Sequence, residues 1–265
     1  MITCLLAYLL DNMDISQSLI DIDASNNLIM NSKLDLSMIT DKDRKIKVVS
    51  IIGKARGGKS TFLNCLLTHL KDTTQNIFQT ANSDSHCTNG IDIYYILERQ
   101  IILLDFQGIY LGNSSIDPKL LLLAYVLSDV IIFNENKMLS NITLQQFEPM
   151  LSFINYLKDI KDLRSFNPKL VFRISDVSLQ IDSTTNMNNM LKPEADQFQN
   201  IRDCINELFD TPFAVSTNNL DRSEIKMLEQ FKFNDFLDSR DNGYFTAMEK
   251  IMQYLDCCEA NRKMA

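Results

Sequence analysis

No run of more than two consecutive lysines or arginines occurs in these 265 residues, and the formal net charge is −8. An acidic surface repels polyanions, which excludes nucleic acid and an anionic membrane face as principal partners. The six cysteines lack any metal-ligand spacing. Scattered apart from the adjacent Cys257 and Cys258, they read as reduced thiols, and the chain is expected in the cytoplasm. No apolar run is long enough to span a bilayer, so no transmembrane segment is expected. The opening Met1 to Leu10 is too short, lacks the basic region of a secretory signal, and reads as a packing helix, with a targeting segment as the alternative. The terminal Lys263-Met264-Ala265 is no prenylation box, and no internal repeat is visible. These absences leave one sizeable α/β domain as the expectation.

What is present is more specific. Val48-Val49-Ser50-Ile51-Ile52 runs into Gly53-Lys54-Ala55-Arg56-Gly57-Gly58-Lys59-Ser60, which fits the phosphate-binding pattern G-x-x-x-x-G-K-[ST]. The stretch 46–52 is almost entirely β-branched or apolar, as a strand covered on both faces requires. Phe62, Leu63, Leu66, Leu67 and Leu70 then recur at helical spacing. Strand, loop and helix in this order place the loop at the carboxyl end of a strand, where ligands bind in open α/β sheets. Backbone N–H groups of such a loop turn inward, so a phosphate meets converging donors and the positive end of the helix. Lys59 is expected along the β- and γ-phosphates and Ser60 on Mg²⁺, with Gly53, Arg56, Gly57, Gly58 and Thr61 completing the nucleotide-binding set. A glycine turn that binds nothing is the competing reading, and the joint occurrence of strand, motif and helix argues against it.

A metal ion at this loop needs an acidic partner. Ile101-Ile102-Leu103-Leu104-Asp105-Phe106-Gln107-Gly108 is a second buried-strand pattern ending in D-x-x-G. Asp105 can hold Mg²⁺ directly or through water, and the Gly108 amide can meet the γ-phosphate with no side chain intervening. Alone, this motif is an ordinary turn. It gains force by following the loop at a distance that accommodates one helix, one loop and one further strand. Between them the polar stretch Ser85-His86-Cys87-Thr88-Asn89-Gly90 precedes the alternating run 91–97. Thr88 there is placed to complete the Mg²⁺ shell, although a lone loop threonine is more often a surface hydroxyl.

Together these segments resemble the G domain of the guanylate-binding protein and atlastin group of dynamin-like large GTPases. The likeness rests on the loop with arginine at its fourth position, on Thr88-Asn89-Gly90-Ile91, and on Leu103-Leu104-Asp105 leading to Gly108. Leu127-Ser128-Asp129-Val130-Ile131-Ile132-Phe133-Asn134 and Phe172-Arg173-Ile174-Ser175-Asp176-Val177-Ser178-Leu179 extend it, and 19–36 is similar to the hairpin that precedes the G domain. The resemblance implies a three-layer P-loop NTPase fold with a mostly parallel, doubly wound central sheet. It further implies GTP as substrate, Mg²⁺ as cofactor and a nucleotide-dependent homodimer. Arg56 matches the arginine finger supplied in cis when two G domains meet, where a guanidinium spreads charge over the transferring phosphoryl. Asp176 matches the aspartate that accepts from guanine N1–H and N2–H, a donor pair adenine lacks.

The sequence departs from the family at Ser175, where arginine is usual, while Arg173 stands two residues earlier. Side chains alternate along a strand, so Arg173 is expected to share a side with Ser175 and take over packing against the base. No N/T-K-x-D occurs, since Asn134-Glu135-Asn136-Lys137 is followed by Met138. Ser85 or His86 is left to orient the attacking water. Family members continue into helical regions, whereas this sequence ends soon after its last helix-like segment, as a minimal member or a fragment.

The expected organisation is a helix-and-hairpin lead-in over 1–45 packed on a G domain over 46–265. Further helices are expected over 118–126, 144–158, 197–208, 220–231 and 244–255, and strands over 169–174 and 212–215. The Asn/Thr/Met-rich 180–193 reads as a polar loop, for which the resemblance implies a guanine cap used in dimer contacts and a disordered insertion explains the composition equally well. The activity expected is hydrolysis of GTP to GDP and phosphate. Arg56, Lys59, Thr88 and Gly108 form its catalytic group, and Ser60, Thr88 and Asp105 its metal ligands. The alternatives are an ATP-hydrolysing protein, which Ser175 encourages, and a nucleotide-gated interaction module with little turnover.

Overall fold

The computed structural model describes residues 16–34, 46–71, 77–80, 88–109, 116–157, 167–175, 182–218, 220–230, 232–238 and 243–256. The expected helix at 1–10, Ser85, His86 and Asp176 lie outside them.

A hairpin of β1 (Gln17–Ile22) and β2 (Leu28–Met30) comes first. Asp23 closes its turn by accepting from the Ser25 and Asn27 amides, both at 2.8 Å. There follow β3 (Lys47–Gly53), α1 (Lys59–Lys71), β4 (Ile91–Ile96), β5 (Ile101–Phe106), α2 (Asp117–Leu127), β6 (Val130–Asn136) and α3 (Asn141–Leu157). The chain continues through β7 (Lys169–Ser175), α4 (Ser183–Leu191), α5 (Gln199–Leu208), β8 (Asp210–Ser216), α6 (Arg222–Glu229), α7 (Phe233–Asp238) and α8 (Tyr244–Asp256).

The eight strands form one sheet in the order β2-β1-β4-β5-β3-β6-β7-β8. Strands β5, β3, β6, β7 and β8 run parallel, while β4 and the hairpin add an antiparallel edge. The hairpin thus belongs to the same sheet as the loop-bearing strand.

Alternation along the strands builds a core on each face. Val49, Ile51, Leu103 and Ile132 pack beneath Phe62 and Leu66 of α1 and Met248 and Ile251 of α8. Ile52, Leu104, Phe133 and Phe172 turn the other way, onto Leu120 of α2, Phe147 of α3 and Ile205 of α5. Helices on both faces require strands that are apolar throughout, and β5 is buried along its whole length. Truncating such a residue, as in Leu103→Ala, costs about 2–5 kcal/mol. The chain winds from β3 to β5 on one side and to β6 on the other, so β3 ends at the switch point of the sheet.

Two segments differ from expectation. The stretch 180–193 contains α4, whose N-terminus is capped by Asp182 accepting from Thr185 N at 2.8 Å. Met187, Met190 and Leu191 fall on one helical face and are buried, while Asn186 holds the Leu139 amide at 2.8 Å. Polar composition hid a short amphipathic helix. In the stretch 220–238, α6 stops at Glu229 and α7 begins at Phe233, burying Phe233 and Phe236. Asp221 and Glu224 form a reciprocal capping box at the start of α6.

Candidate nucleotide-binding site

Three positive backbone angles shape the loop between β3 and α1: Gly53 at φ 144°, Arg56 at 60° and Gly58 at 72°. A Cβ on Gly53 would lie 2.2 Å from the Asn134 carbonyl oxygen, so only glycine lets β3 and β6 approach this closely. At Gly58 a Cβ would meet nothing within 4 Å; its requirement is the left-handed angle, and the space above it is open. A left-handed arginine costs about 1–2 kcal/mol. Left-handed residues among ordinary ones are the backbone pattern that turns successive N–H groups to one side, and here the pattern lies just ahead of the α1 N-terminus, whose first turn holds no acidic side chain. Arg56 itself is exposed on this turn.

Beneath the loop, residues far apart in sequence meet on one oxygen. Ser60 Oγ donates to Asp105 Oδ2 at 2.6 Å, and Thr88 Oγ1 donates to the same atom at 3.1 Å. Asp105 is fully buried, and its Oδ1 has no hydrogen-bond partner among the described residues. Burial raises the Asp105 pKa, opposed by the charge of Lys59 and by the two hydroxyls. Lys59, also buried, is pushed down by desolvation and held up by Asp105, so each steadies the charge of the other. Its Nζ reaches back across the loop to Lys54 O at 3.5 Å. Thr61 follows in the first turn of α1, half-buried.

Two hydroxyls and a carboxylate with an unpaired buried oxygen suit Mg²⁺, a hard cation that takes few protein oxygens and completes its octahedron with water and phosphate. Soft ligands are not part of this set, and among the described residues no group of three His, Cys, Asp or Glu gathers to hold a metal.

The D-x-x-G segment lies against the loop. Ile109 bridges to Lys54, its amide donates to Gly53 O at 3.1 Å, and its carbonyl accepts from Ala55 N at 3.4 Å. A Cβ on Gly108 would fall 2.3 Å from Ala55 Cα, so the contact needs glycine. One residue earlier, Gln107 exchanges hydrogen bonds with Gly90: its amide donates to Gly90 O at 2.8 Å, and its Oε1 accepts from Gly90 N at 3.2 Å. Thr88, Gly108 and the loop are therefore tied through adjacent backbone contacts. The tie made by Gln107 is not legible in sequence, because it depends on the antiparallel pairing of β4 with β5.

Arg173 is placed differently from expectation. Its guanidinium does not stand free at the strand end to pack on a base but is buried beneath the loop, with only 1% of the residue exposed. Nη1 donates to Asn134 Oδ1 and to Gly57 O at 3.4 Å, Nη2 to Thr217 Oγ1 at 3.0 Å and Tyr244 Oη at 2.9 Å. The plane lies over the Phe62 ring, 4.4 Å from its centre. The cause is polarity: Phe62 of α1 and Tyr244 of α8 present aromatic faces on that side of β7, and Gly57, Asn134, Thr217 and Tyr244 present acceptors, which together hold a guanidinium out of water. Ser175, on the same side two residues on, hydrogen-bonds with the Glu135 carbonyl. Asn134, which in sequence only ends an apolar run and opens a stretch that fails the N/T-K-x-D pattern, donates to Gly57 O at 2.9 Å.

A parallel sheet that reverses its winding at a Gly-Lys-Ser loop defines a class, the P-loop nucleotide-binding fold. Within that class the family model described as Guanylate-binding protein, N-terminal domain, matches residues 25–255. The chain belongs to this family of GTP-binding large GTPases. A search of curated proteins finds no match. Among the described residues, no helix is long and apolar enough to cross a membrane.

Proposed function

We propose that this domain binds Mg²⁺·GTP at the loop 53–60 and hydrolyses it to GDP and phosphate, with two G domains pairing over the nucleotide. The observation that carries this reading is the meeting of Ser60 and Thr88 on Asp105 Oδ2 beside buried Lys59. Ser60, Thr88 and Asp105 would hold the metal, which when bound neutralises charge on the β- and γ-phosphate oxygens. Lys59 leaves its long contact with Lys54 O to lie along those phosphates, and the loop amides fix their positions. Gly108, held against Ala55, offers its amide on the γ side. Exposed Arg56 spreads charge over the phosphoryl group as a water oxygen adds to phosphorus and the bond to the GDP oxygen breaks. Its effect is large only where water is excluded, which a second domain closing over the loop would achieve.

Guanine selection through Asp176 belongs to the same proposal. One observation favours a second reading, in which ATP is accepted as well: Arg173 is committed beneath the loop and Ser175 is uncharged, so neither supplies a cation beside the base. Competition between GTP and ATP on the purified protein, followed by phosphate release, tests both. A third reading, a switch with little turnover, predicts tight GTP binding without release.

A further inference from the structure

We infer that Arg173 is a positioning residue for the phosphate-binding loop, acting through the Gly57–Gly58 peptide; the inference rests on the proposal that this loop takes the nucleotide phosphates. Gly57 O is gripped from below by two donors, Asn134 Nδ2 at 2.9 Å and Arg173 Nη1 at 3.4 Å, and Arg173 in turn fixes the Asn134 amide through Oδ1. In a planar trans peptide the C=O and the following N–H point in opposite directions. Holding Gly57 O down therefore turns Gly58 N–H to the opposite side of the peptide, at a residue that is exposed and has room for a Cβ.

A cation on the carbonyl side also polarises that peptide and strengthens its N–H as a donor. The guanidinium is well placed to do so, because it is fully buried and makes no ion pair with a carboxylate among the described residues, and its Nε has no partner. Its charge is answered instead by two aromatic faces, Phe62 and Tyr244, and by neutral oxygens. A buried cation without a counter-ion is costly, and an anion bound above the loop is what offsets it. Phe62 belongs to α1 and Tyr244 to α8, so the same group also fixes the loop relative to both helices.

The test is a set of Arg173 variants, Arg173→Met, Arg173→Gln and Arg173→Lys, checked for folding by thermal melting and titrated with GDP and GMP. Loss of the grip is expected to weaken GDP roughly tenfold to a hundredfold in the methionine variant, since a hydrogen bond from a charged donor is removed. GMP, which lacks the β-phosphate that the loop holds, is expected to change little. Lysine, which keeps the charge, is expected to restore part of the GDP affinity, and glutamine less. Where the methionine variant does not fold, glutamine, which keeps a donor, takes its place. Unchanged GDP affinity in either folded neutral variant overturns the inference, as does an equal loss for GDP and GMP. Failure of the wild-type protein to bind GDP at all would instead remove the nucleotide proposal on which it rests.

Discussion

Ser60 Oγ stands 2.6 Å from Asp105 Oδ2, a hydrogen bond between the first turn of α1 and the end of β5. Two residues 45 positions apart are brought together because β3 and β5 are parallel neighbours in register, Ile51 beside Asp105. The hydroxyl and the carboxylate belong to elements that leave the same edge of the sheet, so their meeting follows from topology and needs no loop to close.

Lys59→Ala removes the counter-charge of buried Asp105 and the cation proposed to lie along the phosphates. If Lys59 lies along the phosphates as proposed, GTP affinity is predicted to fall at least tenfold, about 1.4 kcal/mol or more. Calorimetric titration of the folded variant measures it, and wild-type affinity would sink the assignment of this loop to phosphate.

Gly108→Ala inserts a methyl where Ala55 already lies 2.3 Å away. The bridge between Ile109 and Lys54 must then open, carrying the D-x-x-G segment off the loop. A loss of roughly 1–3 kcal/mol in stability is expected, together with weaker discrimination of GTP from GDP if the Gly108 amide serves the γ-phosphate as proposed. Melting curves and paired GTP and GDP titrations check the two effects; a variant that melts and discriminates like wild type contradicts the packing argument.

Asp92 faces Asp105 directly across the antiparallel pair β4–β5. Burial first, then the charges of Asp105 and Asp21, push its pKa up from 3.8 to about 7. The folded state therefore keeps a proton that the unfolded chain has already released. The stability contributed is complete below about pH 4 and is lost as pH rises through 7. Asp92→Asn is expected to raise the melting temperature at pH 8 and to leave it nearly unchanged at pH 4. Partial exposure of Asp92 keeps the gain modest, roughly 2–4 °C for each kcal/mol relieved. An equal effect at both pH values would show that charge is not the cause.

Much of this was open to inspection in the chain itself. The apolar run 46–52, the loop and the leucines of α1 carry their own physics, and β5 with Asp105 repeats it, so the heart of the sheet and the Ser60–Thr88–Asp105 set follow from local pattern and family likeness. Arg173 did not, because period-two alternation says which side of a strand a residue takes and not whether that side is covered. It is covered here by Phe62 and Tyr244, from helices that lie 111 residues earlier and 71 later in numbering. The α4 helix was hidden for a different reason: its Asn and Thr residues have weak helical propensity, and the cap at Asp182 with the buried methionines decides the matter.

Arg56→Ala is expected to keep nucleotide affinity within a few-fold while cutting turnover by on the order of a hundredfold or more, since the proposed role of this exposed guanidinium is on the transition state and not on the ground state. Specific activity across a dilution series is the companion measurement. Activity per molecule that stays flat on dilution, with normal turnover in the variant, would assign Arg56 to the solvated surface.

Guanine specificity is the point on which the family assignment and the local chemistry pull apart, and Asp176→Asn addresses it by exchanging the acceptor for an amide that presents N–H groups to a donor edge. The most direct measurement is competition between GTP and ATP, in Mg²⁺, for the wild-type protein. GTP is expected to bind at least tenfold more tightly, with the gap narrowed in Asp176→Asn; equal affinities in the wild-type protein would contradict GTP as its ligand of choice.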